Sequence, residues 1–95
     1  MSDIEIPRFL EFAEDVWVRV KDHRQMSSTE TVCIVEGVLR ERVIIVPSSA
    51  FSPDRGVMAR KVGTVGDGDD HWLIDLPLGE RLLVSKELVA HGDLV

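Results

Sequence analysis

The sequence predicts a small, mainly β protein, an antiparallel barrel or strongly bent sheet of about five strands. Three observations predict this fold. Polar and apolar residues alternate after residue 15, β-branched residues dominate residues 31–46, and residues 57–84 form three apolar segments joined by glycine-containing turns. The chain of 95 residues is the size of one domain, so we expect a single domain in which residues 15–90 form the barrel.

Residues 1–14 are expected to form an N-terminal extension or a short helix. Four apolar residues follow the i, i+3, i+4, i+7 spacing of one helical face: Ile6, Phe9, Leu10 and Ala13. Pro7 suits the first position of a helix over about residues 7–14. Such a helix has only about two turns, so it is stable only when its apolar face packs on the protein's own core or on a partner.

A strand is predicted to follow this helix. Valine occupies every second position, at Val16, Val18 and Val20, and the positions between and after them hold Trp17, Arg19 and Lys21. This period of two is typical of a strand with one face buried and the other exposed. The next stretch, residues 22–30, is polar and without pattern, which indicates a loop.

Residues 31–39 and 42–46 are rich in β-branched side chains and are separated by two charged residues. They predict either a hairpin or one long bent strand. Their apolar residues fall on both faces, so both faces should be covered in part by the rest of the protein or by another subunit. A homo-oligomer that forms through residues 31–46 is therefore one prediction of the sequence. Pro47 ends the segment.

The C-terminal part predicts three strands joined by two tight turns. The strands cover residues 57–65, 71–76 and 81–84. Trp72 shares a face with Ile74 and Leu76, which predicts a core position for this tryptophan. After the last strand, the hydroxyl of Ser85 can cap one helical turn in the sequence SKEL.

The order of these segments resembles that of the SH3-like small β-barrels. KVGTV, a turn and HWLIDLPLGERLLVSKELVA follow the family order of a G-x-V strand, a hairpin, a W-L/I-V/I-D/E-L strand, a short glycine turn, an apolar strand and a closing S-x-E-L turn. EDVWVRVKD is similar to the strand that opens such barrels, with Ala13 and Glu14 where glycine is common. The resemblance covers about two thirds of the chain, apart from residues 22–56, and implies a barrel fold. It implies no particular task, because barrels of this kind serve unrelated functions.

The charge of the chain argues against nucleic acid and membranes as partners. There are 17 acidic and 11 basic residues, a formal net charge of -6, and the acidic excess is spread over both halves. A phosphate backbone or an anionic membrane is repelled by this field, because every small cluster of basic residues has carboxylates nearby. The spread-out acidity allows an alternative function, an acidic inhibitor that mimics nucleic-acid phosphate, but it is equally expected of an ordinary soluble domain.

A second alternative is a small nucleic-acid-binding barrel. Recognition of a single strand needs aromatic side chains that stack on bases beside cationic groups. Only Trp17 with Arg19 and Lys21 fits this description, and the carboxylates of Glu14 and Asp15 oppose it.

No segment predicts catalysis or a metal site. GDGDDHW, residues 66–72, has the aspartates of a calcium loop but lacks the loop's glycine and glutamate at the required positions, so it predicts a turn. The three histidines and Cys33 are too far apart for paired zinc ligands. Cys33 lies among apolar residues of a predicted strand, where burial disfavours the reactive thiolate. We therefore expect a protein that is not an enzyme and that holds no cofactor and no metal.

We expect a cytoplasmic protein. The single cysteine excludes an intramolecular disulfide, and the start of the chain lacks the features of a signal peptide. No apolar run approaches the ~18 residues that suggest a membrane span.

The predicted function is a non-catalytic protein-binding module that acts on another protein as an accessory subunit, adaptor or regulator. The basis is Trp17, because a large aromatic residue on the polar face of a strand is unusual, and tryptophan and arginine often carry the binding energy of interfaces. The predicted contact residues are Trp17, Arg19, Lys21, Phe9 and Phe12. The alternative is that the N-terminal segment folds back and covers Trp17 with Phe9 or Phe12.

Overall fold

The computed structural model describes residues 7–91, and within this range the protein is mainly β. Residues 1–6 of the predicted N-terminal extension lie outside it. The strands are β1 (Arg8–Val18), β2 (Asp22–Gln25), β3 (Glu30–Glu36), β4 (Glu41–Pro47), β5 (Phe51–Ser52), β6 (Gly56–Val65), β7 (His71–Asp75), β8 (Arg81–Ser85) and β9 (Val89–His91). Single turns of 3-10 helix lie at Ser48–Ala50, Pro77–Gly79 and Lys86–Leu88. None of the helical turns in the described range is long and apolar enough to cross a membrane.

These strands form two antiparallel sheets. The large sheet has the order β8-β7-β6-β1-β9, and β5 adds to β6 at one end. The small sheet has the order β2-β3-β4. The large sheet is strongly curled into a half-barrel, which confirms the predicted bent sheet.

One core is shared by the two sheets. Its buried side chains come from the large sheet (Val16, Val18, Val57, Ala59, Ile74, Leu82 and Val84), from Leu76 directly after β7, and from the small sheet (Cys33, Val35, Ile44 and Val46). Val16 and Val18 are fully buried and Val20 packs against the cluster, which confirms the predicted alternation. Trp72 is half-buried and packs on the same cluster, on the face predicted for it.

The N-terminal helix predicted over residues 7–14 is wrong, because this segment is the first part of β1. It pairs with β6 at both ends and bulges over residues 10–13 between them. An isolated helix of two turns is unstable in water, whereas the edge of β6 offers backbone hydrogen bonds to an extended segment. Phe9, Leu10 and Ala13 therefore lie in and around a bulge, and Phe12 within it is exposed.

Residues 31–46 form a hairpin, and not one bent strand. The register runs from Glu30 opposite Pro47 to Glu36 opposite Glu41. One face of the hairpin packs on the core, while the other face stays partly open to solvent.

The sequence predicts a loop over residues 22–30, but the first four of these residues form strand β2, so the prediction is wrong there. All four side chains of this strand are exposed, so no alternation of polar and apolar residues marks it in the sequence. It forms through backbone pairing with β3, a contact that the sequence of the segment itself does not encode.

The C-terminal strands lie close to where the sequence predicts them. β6, β7 and β8 form two consecutive hairpins, and the predicted helical turn is the single 3-10 turn after Ser85. The hydroxyl of Ser85 caps this turn by accepting a hydrogen bond from the backbone N–H of Glu87 at 3.4 Å. Beyond the turn, β9 pairs with β1, so the last described strand lies beside the first.

We predict that Gly56 tolerates no side chain. Its φ is +102°, and a Cβ atom there would lie 1.9 Å from the carbonyl oxygen of Val18, because β6 begins in close contact with the end of β1. Gly56→Ala should lower the free energy of unfolding by about 2 kcal/mol or more, through left-handed strain and the backbone clash. Urea unfolding followed by circular dichroism measures this loss.

Gly79→Ala is the matched control. Gly79 has a φ of +89° but open space around the position of a Cβ atom. Its substitution should cost only the backbone strain, about 1 kcal/mol. Equal losses in the two variants would contradict the close contact of β6 with β1 at Gly56.

Candidate functional site

The GDGDDHW segment forms the turn between β6 and β7 and the first residues of β7, which confirms the turn prediction. The backbone N–H of Asp69 donates to the carbonyl of Gly66 at 3.2 Å. Asp69 has a positive φ of 54°, a conformation that aspartate adopts more readily than most residues. The indole N–H of Trp72 donates to the carbonyl of Asp69 at 3.0 Å. The hydrogen bonds and the positive φ of Asp69 explain the glycines and aspartates of this segment as residues of a turn.

The carboxylates of this turn contact basic side chains. Asp69 forms an ion pair with Arg8, and Asp70 lies 3.5 Å from the Nζ atom of Lys86. Both aspartates therefore stabilise the position of the turn against neighbouring elements. In the part of the chain that the structure describes, no three histidine, cysteine, aspartate or glutamate residues are grouped so that they could hold a metal ion.

Cys33 is fully buried on the inner face of β3 and belongs to the core, which confirms its predicted burial. Burial raises the pKa of its thiol to about 11, because a thiolate would lose its hydration there. At neutral pH the side chain is therefore a thiol, without the nucleophilic form that catalysis would need.

Trp17 lies on the outer face of β1, on the side of the large sheet that faces away from the core. Its neighbours across the ladder are Met58 of β6 and Ala90 of β9. The side chain is half-buried. The guanidinium carbon of Arg55 lies 5.7 Å from the centre of the indole ring, within the range of a cation–π contact.

A depression beside this ring, the Trp17 groove, is the candidate functional site. It is lined by Trp17, Arg19, Asp54, Arg55, Glu87, Leu88, Val89 and Ala90. The backbone N–H of Arg19 donates to the carbonyl of Leu88 at 2.7 Å, which ties the 3-10 turn before β9 to the end of β1. The groove holds about 150 Å³, well below the roughly 300–1,000 Å³ of typical small-molecule pockets.

The groove carries charges of both signs. Arg19 and Arg55 have no ion pair with any residue that the structure describes, and neither do Asp54 and Glu87. Six other cations do have such a partner: Arg8, Lys21, Arg42, Arg60, Arg81 and Lys86. Two cations and two carboxylates of the groove therefore form no ion pair within the described range.

The other three predicted contact residues lie outside the groove. Lys21 forms an ion pair with Glu41 of the small sheet, and this hydrogen bond raises the pKa of the ammonium group. Phe9 is 62% exposed and Phe12 is 78% exposed, both toward the start of β1. Of the five predicted contact residues, the structure thus brings together Trp17 and Arg19.

The hypothesis that Phe9 or Phe12 covers Trp17 is wrong. Phe9 and Phe12 belong to the same strand as Trp17, and an extended strand cannot cover its own side chains in this way. Arg55 contacts the indole instead.

Sequence reasoning missed Arg55, Asp54 and Glu87. They reach Trp17 because β6 and β9 flank β1, and each strand is preceded by the turn that carries these residues. The available signal was the turn chemistry of SPDRG and SKEL, which places both segments at the surface but not beside Trp17.

Comparison with known proteins gives no relative of this chain. No family model, no curated protein and no solved structure matches it.

We predict that the protein loses stability as the pH rises from about 9 to about 11. The thiol of the unfolded chain ionises near its ordinary pKa of 9.0, whereas folded Cys33 ionises only near 11. Between these values the unfolded state binds fewer protons than the folded state, so each rise in pH favours unfolding, while below 9.0 this contribution is constant. Urea unfolding under reducing conditions, at several pH values from about 8 to about 11, measures the decline.

Cys33→Ala should unfold with a shallower dependence on pH over this range. The ion pair of Lys21 is present in both proteins, and its raised pKa means that its contribution is lost only above its ordinary value of 10.5. Curves of stability against pH that run parallel in the wild type and the variant would show that Cys33 is not desolvated in the folded protein.

Proposed function

We propose that this protein is a non-catalytic protein-binding module of the cytoplasm, an accessory subunit, adaptor or regulator that recognises its partner through the Trp17 groove. The observation that carries the proposal is a half-buried tryptophan on the outer face of a sheet, bordered by two arginines without a carboxylate partner in the described structure. Tryptophan and arginine are the residues that most often dominate the binding energy of protein interfaces.

The fold class that we propose is the SH3-like small β-barrel. HWLID forms β7, PLGE forms the turn to β8, and SKEL forms the closing turn before β9, in the order that the resemblance implies. The small sheet is inserted between β1 and β6, in the segment that the resemblance leaves out. A fold of this kind is compatible with many functions, so the proposed protein-binding function depends on the Trp17 groove.

The charges of the groove favour a polypeptide partner over a nucleic acid. Arg19 and Arg55 suit carboxylates and backbone carbonyls, whereas Asp54 and Glu87 suit basic side chains and backbone N–H groups. A polypeptide offers all of these groups. A phosphate backbone would meet the two carboxylates in addition to the net charge of -6 and would be repelled.

The size of the groove favours a side chain of the partner over a free small molecule. A space of about 150 Å³ suits one anchoring side chain, with the remainder of the contact spread over the surface around it. Anchoring side chains of this kind, surrounded by contacts that exclude water, are the usual hot spots of protein interfaces.

Phe9 and Phe12 are proposed as secondary anchors. They are exposed, and they lie on the same strand as Trp17, at most roughly 27 Å from it along an extended chain. A partner that touches all three aromatic residues would lie along β1. Lys21 contributes at the border of such a contact, where its ion pair with Glu41 is exposed to solvent.

We expect Trp17→Ala to weaken partner binding by about 2 kcal/mol or more, roughly 30-fold in Kd, and to leave the fold intact. The loss follows because the variant removes the central anchor and its contact with Arg55. Immobilised wild type and variant, each checked by circular dichroism, should be compared for the proteins that they capture from a lysate of the source organism. Calorimetric titration with a captured protein then gives the change in Kd.

Leu78→Ala is the matched control, because Leu78 is 83% exposed and does not line the groove. It should leave capture unchanged, whereas Arg55→Ala should reproduce part of the loss. Equal capture by the wild type and by folded Trp17→Ala would show that the groove is not the interface. A lower Tm with unchanged binding would assign Trp17 a structural role.

A further inference from the structure

The outer face of the small sheet has an apolar centre, here called the outer patch. In β3 and β4 every second side chain is buried in the core, and the residues between them face outward. Among the outward residues, Val32 lies opposite Ile45 and Ile34 lies opposite Val43. Val43 is 67% exposed and Ile45 is 42% exposed. A contiguous apolar surface with a charged border is typical of an interaction site.

Two charged residues of β2 belong to the same surface. Asp22 lies opposite Ile34, and Arg24 lies opposite Val32. The outer patch therefore has two rows that run across the three strands. The first row is Asp22, Ile34 and Val43, and the second row is Arg24, Val32 and Ile45.

We propose that the outer patch binds a second copy of this chain, face to face. A two-fold axis that runs across the strands, midway between the two rows, places each row on the opposite row of the second copy. Asp22 then meets Arg24 of the second copy, and Arg24 meets Asp22. On the other side of the patch, Val43 meets Ile45. The centre of the patch is thus complementary to itself both in charge and in apolar surface. At the two ends of β3, exposed Glu36 lies opposite Glu30 of the second copy, and this repulsion between carboxylates weakens the dimer.

Both charged residues are available for this contact. Arg24 has no ion pair among residues 7–90, and Asp22 accepts a hydrogen bond from the backbone N–H of His23 at 2.8 Å through one carboxylate oxygen. An unrelated partner would have to match two charges and four apolar side chains separately. A second copy matches all of them by symmetry alone.

The face of the small sheet, and not its edge, is the contact surface. β2 and β4 are the two edge strands of that sheet. β2 has only four residues, and in β4 Pro47 at the end and the charges of Glu41 and Arg42 at the start hinder the addition of another strand. The centre of the outer patch has no such protection. Sheets that pack face to face lie about 10 Å apart, a gap that an aspartate and an arginine can span together.

The dimer should be weak. Three strands about 4.8 Å apart, the longer ones of 7 residues, cover roughly 300 Å² of surface, less than half of what one partner contributes to a standard interface. The net charge of -6 on each chain adds repulsion at low salt. We expect a Kd on the order of 0.1 mM.

The outer patch and the Trp17 groove share no residue. Trp17 points away from the core on the large sheet, and the outer patch does so on the small sheet. A dimer therefore keeps both grooves accessible, so a partner with two binding segments would gain avidity. The dimer itself does not depend on the function proposed for the groove.

Analytical ultracentrifugation of the full chain tests the dimer. The wild-type mass should rise from 10.6 kDa toward twice that value as the concentration increases from about 10 µM to about 1 mM. Ile45→Glu should remain at the mass of one chain, because it places a charge in the apolar centre. Asp22→Arg should raise Kd about ten-fold or more, since like charges then meet twice, and the added change Arg24→Asp should restore Kd to within about three-fold of the wild type.

Leu78→Glu is the matched control, because it adds the same charge at an exposed leucine outside the patch and should dimerise like the wild type. Circular dichroism confirms that each variant is folded. A wild-type mass that stays at one chain up to about 1 mM overturns the proposal. A dimer that persists in Ile45→Glu, or one that the double charge exchange fails to restore, also overturns it.

Discussion

The alternation of side chains along β1 is the constraint on which the rest of the structure depends. Val16 and Val18 are fully buried where the two sheets meet, so Trp17 between them has to point outward. β6 and β9 pair with β1 on either side, and the turns that precede them therefore border the indole. The core and the candidate site therefore lie on opposite faces of the same short segment of β1.

The parts of the fold that depend on local chemistry could be predicted from the sequence. The period of two at Val16 to Val20, the glycine and aspartate turn at residues 66–70 and the serine cap at Ser85 each follow from residues that are close together in the chain. The first part of β1 could not be predicted in this way. Its helical spacing is real, but two turns of helix have no stability of their own, and the distant strand β6 decides the outcome.

The candidate site could be predicted only in part, for the same reason. Trp17 lies in β1 and Arg19 directly follows the strand, and the outward position of both follows from the alternation of residues 16–20. Arg55 comes from a turn that is distant in sequence and reaches the indole only through the strand order. The two faces of β3 and β4 were visible as apolar residues on both sides, yet only the structure shows that the face with Val43 is the open one.

The indole N–H signals of the two tryptophans in a proton–nitrogen correlation spectrum test the Trp17 groove most directly. The Trp72 indole donates a hydrogen bond to the carbonyl of Asp69 on another part of the large sheet and provides an internal reference. Addition of a partner captured by the wild-type protein should shift or broaden the Trp17 signal and leave the Trp72 signal in place. A Trp17 signal that is unchanged when the partner is saturating would contradict binding through the groove.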